Sequence, residues 1–130
     1  MKKIYPLLLL ILTLTACSSS DDSSSNNQYF NPPSWIQGTW TSEHGQNDFR
    51  FTSDDFCYIL ASYETCYKEG IESGHGAIEA IESITENSYE VGLSGGGTAA
   101  SWSFIKISNT EIELVNPIEG IPNTLYYKIN

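Results

Sequence analysis

The sequence predicts an all-β domain, an antiparallel meander of about eight strands closing into a small barrel. Three observations carry this. Apolar and polar residues alternate with period two around Phe49 and Phe51, along Tyr89, Val91 and Leu93, at Ile112 and Leu114, and along Leu125, Tyr127 and Ile129. Clusters of Gly, Pro, Asn, Asp and Ser fall between these runs at hairpin-length intervals. Residues 34–130, 97 in all, follow an apolar leader and a serine-rich stretch, which is enough chain for one core and no more.

The chain opens Met1-Lys2-Lys3, and from Leu7 to Leu14 only Thr13 is not aliphatic. Two cations followed by an apolar run far short of the roughly 20 residues that span a bilayer read as a secretory leader over 1–16. The leader ends in Leu14-Thr15-Ala16-Cys17, a hydrophobic residue and two small or tolerated ones before a cysteine. This tetrad resembles the lipobox of bacterial lipoproteins. The resemblance implies cleavage before Cys17, acylation of its sulfur and its new amine, and a stable membrane anchor, since each buried methylene contributes about 0.8 kcal/mol. Ser18 resembles the following residue of lipoproteins sorted to an outer membrane. Ser20-Asp21-Asp22 is similar to the export signals of surface-exposed lipoproteins in Bacteroidetes-type bacteria. The expected location is therefore the cell envelope, at the outer membrane.

Residues 17–33 are expected to be a lipidated, disordered tether. They are dominated by Ser, Asp, Asn and Pro, with only Tyr29 and Phe30 as large apolar residues, too few to offset the entropy of ordering. A coil of this length sets the domain roughly 20–25 Å from the acyl chains. Removing the leader takes 2 of the 6 basic residues and none of the 16 acidic ones, so the remaining chain carries 4 basic groups against 16 acidic, a net charge of −12. Such a chain does not bind nucleic acid by neutralising phosphates, and anionic lipid headgroups repel it. No partner of either kind is expected beyond the membrane reached through the acyl chains, and the domain is expected to be a monomer.

Strands are expected near 37–42, 47–52, 56–61, 77–84, 88–94, 99–107, 110–115 and 124–129. The turns between them lie at Glu43 to Gln46, Ser53-Asp54-Asp55, Glu86-Asn87, Gly95-Gly96-Gly97, Ser108-Asn109-Thr110 and Pro117 to Pro122. Two segments carry a second reading. Ile78, Ile81 and Ile84 also fit one face of a helix, although the isoleucines and the turn that follows favour a strand. In Trp102, Phe104, Ile105 and Ile107 the apolar parity switches after 104, as a bulge or burial on both faces would produce.

The domain begins Pro33-Ser34-Trp35-Ile36-Gln37-Gly38-Thr39-Trp40, and Phe49-Arg50-Phe51 and Ser53-Asp54-Asp55-Phe56 follow. This opening resembles that of lipocalin-like domains in small bacterial lipoproteins. The resemblance implies a short 3₁₀ turn at the barrel base, with Gly38 and Trp40 as a Gly-x-Trp motif on the first strand. Glycine there permits close backbone approach and the indole plugs the closed end. It also implies a basic residue of the last strand packed over that indole, a place Lys128 fills. The domain is shorter than a full lipocalin, which leaves less room for an internal cavity.

Among groups with chemistry, Cys57 and Cys66 form an even pair in an exported chain, so a disulfide is expected, contributing about 2–3 kcal/mol by loop closure. A zinc site using both with His44 and His75 lacks Cys-x-x-Cys or His-x₃-His spacing. Neither histidine stands near a Gly-x-Ser-x-Gly elbow, Asp54-Asp55 lacks the ligand rhythm of a calcium loop, and Gly95-Gly96-Gly97 has no following Lys-Ser or Lys-Thr. No catalytic residue, metal or cofactor is therefore expected, and the protein is not read as an enzyme. Tyr58, Tyr63, Tyr67 and Tyr126 remain as aromatics for a barrel mouth, where they would suit a small apolar or sugar-like ligand. The alternative is an envelope protein-interaction or accessory lipoprotein with a filled barrel, using its acidic surface or the 61–76 loop.

Overall fold

The computed structural model describes residues 29–45 and 47–130, so the leader, Cys17 and most of the tether lie outside the described residues. The described residues form nine strands and one short helix, β1 (Gly38–Ser42), β2 (Asn47–Phe51), β3 (Phe56–Leu60), β4 (Tyr63–Cys66), α1 (Tyr67–Ser73), β5 (Ile78–Ile84), β6 (Ser88–Gly95), β7 (Thr98–Lys106), β8 (Glu111–Leu114) and β9 (Thr124–Ile129). All the strands belong to one antiparallel sheet of order β4-β3-β2-β1-β9-β8-β7-β6-β5. The first strand pairs with the last, Trp40 opposite Lys128, so the meander curls back on itself into a half-barrel. Sequence neighbours pair everywhere except at β4 and β5, which are the two edges of the sheet. The helix spans that gap.

All eight expected strands form, and β4 and α1 are additional. The segment from Ile78 to Ile84 is a strand, with ladder partners running from Ile78↔Gly95 to Ile84↔Tyr89. The parity switch in β7 has no bulge. Its ladder to β6 is continuous from Ser88↔Ile105 to Gly95↔Thr98, with Phe104 buried inside and Ile105 half-buried on the other face. Gly96 and Gly97, both at positive φ (60° and 80°), make the two-residue turn between these strands, as a type I′ hairpin requires.

The composition places residues 29–33 in the tether, and the structure corrects that boundary. Phe30 is fully buried and meets Phe56 edge-on at 6.5 Å, and Pro32 is buried with it. The Asn31 N–H donates to the Glu82 carboxylate (2.6 Å), and the Gln37 side-chain amide donates to the Pro32 carbonyl (3.0 Å). One phenylalanine inserted among other aromatic rings outweighs the polar composition around it. Residues 29–33 thus form a strap along the open side of the half-barrel.

Candidate binding surfaces

The base of the half-barrel is built around Trp40. Ile36 N–H bonds to the Pro33 carbonyl (3.0 Å), a one-turn closure just before β1. The Trp40 indole N–H donates to the Ile36 carbonyl (2.6 Å), and Lys128 Nζ lies 5.2 Å from the ring centroid. Gly38 sits at φ 125°, and a Cβ built there would lie 2.7 Å from Lys128 Cε. The glycine therefore does two things: it adopts a backbone conformation closed to other residues, and it leaves room for the lysine stem to reach the indole.

Above this base the interior is filled. Inward positions on β1, β2, β3, β6, β7, β8 and β9 supply Trp40, Phe49, Phe51, Phe56, Tyr89, Val91, Phe104, Ile112 and Tyr126, all buried. Phe49 lies at the centre, with Phe104 at 5.0 Å, Tyr126 at 5.3 Å, Tyr58 at 5.5 Å and Phe56 at 5.9 Å between ring centroids. Rings at these separations are in contact, so they occupy the space that a lipocalin gives to its ligand.

The four tyrosines do not form one mouth. Tyr126 is 1% exposed, because its register opposite Ser42 and Ile112 turns it into the core, where its hydroxyl donates to the Asn47 side-chain carbonyl (3.0 Å). Burial and the neighbouring Tyr58 push the pKa of this hydroxyl up to about 12. Burial and the Glu82 carboxylate raise Tyr89 further still. Tyr58 and Tyr67 both pack near Trp102, at 6.4 and 6.1 Å between ring centroids, and Tyr67 stacks on Phe56 at 5.2 Å. Tyr63 stands apart at the end of the β3–β4 hairpin, 82% exposed.

Cys57 and Cys66 are joined by a disulfide across the β3–β4 ladder. The bond holds a four-residue edge strand whose side chains bury little. Asp55 extends the same support into α1. Its Oδ1 accepts from the N–H groups of Phe56 (2.7 Å), Tyr67 (3.2 Å) and Lys68 (2.9 Å), the last two being the first donors of the helix. Asp54 pairs with Lys68, whose ammonium holds the Asp54 carboxyl below its ordinary range. Asp54-Asp55 is thus a turn and helix cap. Among the described residues the one cluster of three metal-ligating groups is Asp55, Cys57 and Cys66, and its sulfurs are already bonded to each other. On the outer face Arg50 meets Glu64 at 2.5 Å, which lowers the pKa of the Glu64 carboxyl.

The gap between α1 and β5 holds a cleft of about 530 Å³. Tyr29, Ile71, Ile78 and Ala80 supply its apolar surface, and Glu72, His75 and Glu79 its polar rim. In the sequence this stretch (61–76) reads as a loop open to a protein partner, with neither the helix nor the cleft visible. The reason is that α1 has seven residues and takes its cap from Asp55, eleven positions before Cys66, so neither helical period nor a local cap is visible. The lone Ile71 among polar neighbours is the one local trace of it. Comparison with protein-family models, with curated proteins and with solved structures finds no match to this chain.

Proposed function

We propose that the chain is a membrane-anchored envelope lipoprotein, held through acyl chains on Cys17, whose lipocalin-like domain is an accessory or protein-interaction module and not an enzyme. The observation that carries the choice between the two functional readings is the packed interior. Phe49 and the rings around it fill the half-barrel, which supports an accessory role over a ligand held inside. Anchoring rests on the leader and the Leu14–Cys17 tetrad. The acidic balance, 4 basic against 16 acidic groups in 17–130, supports partners that carry positive charge.

Two measurements test this reading. Cys17→Ser, expressed in a Gram-negative host supplied with an alkyne-bearing fatty acid, should lose the label and leave the membrane fraction. Retention of label overturns the anchor. Organic extraction of the purified wild-type protein, followed by mass spectrometry, should release no stoichiometric small molecule beyond the acyl chains. Recovery of one restores the ligand-binding reading, for which the half-buried Tyr58, Tyr67 and Trp102 cluster is the place to look.

A further inference from the structure

We infer that the gap between α1 and β5 is a docking groove for an extended peptide segment of a partner protein, one that alternates basic and apolar residues and adds to β5 as a strand. This rests on the interaction-module reading above and specifies where and with what chemistry it operates. Strand β5 pairs with β6 along one side only, through all seven of its residues. Among the described residues, no backbone hydrogen bond is made to its other side. That edge therefore offers free N–H and C=O groups beside a cleft of about 530 Å³, room for a segment of a few extended residues.

The register sets the side-chain preference. Ala80 stands opposite Leu93 and Glu82 opposite the buried Val91, so Ile78, Ala80 and Glu82 face inward and Glu79 faces out. An added strand would place alternate residues against Ile78, Ala80 and Ile71 on the inner side, where apolar groups fit. Its other residues would lie beside Glu79 and Glu72 on the outer rim. Among the described residues neither of these exposed carboxylates is in an ion pair, and Lys68, one turn before Glu72 and near enough to feel its charge, is bonded to Asp54. Lysine or arginine at the outward positions supplies the missing charge.

Charge also disfavours the two other occupants. The chain's own residues 18–28 contain Asp21 and Asp22 and no cation, and a second copy brings the same acidic edge. Like charges brought together along a strand pair are destabilising.

The test uses the full chain in neutral detergent and three five-residue probes. One alternates valine and lysine, one alternates valine and glutamate, and the third is the valine–lysine sequence N-methylated on alternate backbone nitrogens. Amide exchange of Ile78 and Ala80, whose N–H groups face away from β6 in the alternating ladder, followed by NMR, reports strand addition directly. The valine–lysine probe should slow these amides, with affinity that falls as salt rises. The glutamate and N-methylated probes should each bind about tenfold more weakly or worse. Glu79→Lys, an exposed change, should shift preference toward the glutamate probe. Equal binding of the two charged probes, or no protection of Ile78 and Ala80 at millimolar valine–lysine peptide, overturns the groove. So does protection of these two edge-facing amides already present without peptide, independent of concentration for residues 18–28 or rising with it for a second copy. A failed groove leaves the extraction result unchanged, whereas a ligand recovered from the interior does not alter these amides.

Discussion

Gly38 and Lys128 show how one residue's missing side chain becomes another's binding place. With φ at 125° and only 2.7 Å between the position an added methyl would take and Lys128 Cε, Gly38→Ala incurs both backbone strain and a clash. It should cost about 1–3 kcal/mol in urea unfolding. In the double variant with Lys128→Ala the steric part disappears and the strain stays, so the loss should be less than the sum of the single losses. Additive losses would mean that the lysine stem is not held against the glycine. Tyr126 gives a second test at this scale. Its hydroxyl has a pKa of about 12 in the fold, against 10.0 for the free side chain, so the folded state binds the proton more tightly. The stability this gives is intact below pH 10 and is lost as pH rises toward 12. Thermal melts should therefore fall steeply over that window, and Tyr126→Phe should flatten the fall. An unchanged slope would show that Tyr126 does not carry the alkaline transition, leaving Tyr89 to do so.

At the scale of elements, α1 and β4 depend on groups outside themselves. Asp55→Ala removes one acceptor from three N–H groups and should cost about 1–2 kcal/mol, with helical signal lost before strand signal. Loss of both together would show that α1 folds only with the sheet. Reduction of Cys57–Cys66, which are nine residues apart, should lower stability by about 2–3 kcal/mol and speed amide exchange in β4 ahead of β1 and β9. Uniform acceleration would contradict a local role. These same dependencies explain what the sequence reveals. The strands with large inward residues, such as β2 with Phe49 and Phe51 or β6 with Tyr89 and Val91, are legible because burial imposes period two. The β4 strand has Tyr63, Glu64 and Thr65 all exposed, and α1 is capped from a distance, so their order comes from contacts that no local window contains. The strap is illegible for a related reason. Composition averages over Phe30, while the fold depends on it.

For the whole molecule, the topology is a ring of pairings with one link left out. Joining β1 to β9 uses the chain's first and last strands to close one side, and places the break at β4 and β5, inside the sequence. The aromatic interior follows from the narrow curl, since large inward rings on six strands, with Ile112 from β8, occupy its centre. At the base of the half-barrel the Trp40 indole donates to the Ile36 carbonyl and lies 5.2 Å from Lys128 Nζ. The cleft, by contrast, depends on the side-by-side position of α1, β5 and the strap, three segments separated in sequence. No motif could have pointed to it.

The strap has a mechanical consequence. With the anchor proposed at Cys17, Tyr29 follows it by twelve positions, and twelve extended residues reach at most about 40 Å. Any pull between membrane and domain travels down that length and arrives at Phe30, wedged beside Phe56, and at the Asn31 bond to Glu82. The load path therefore enters through the aromatic core and not through a surface loop. Phe30→Ala should leave the sheet order intact while lowering the force at which the domain's N-terminal side peels away, a difference that pulling from residue 17 in an optical trap would measure.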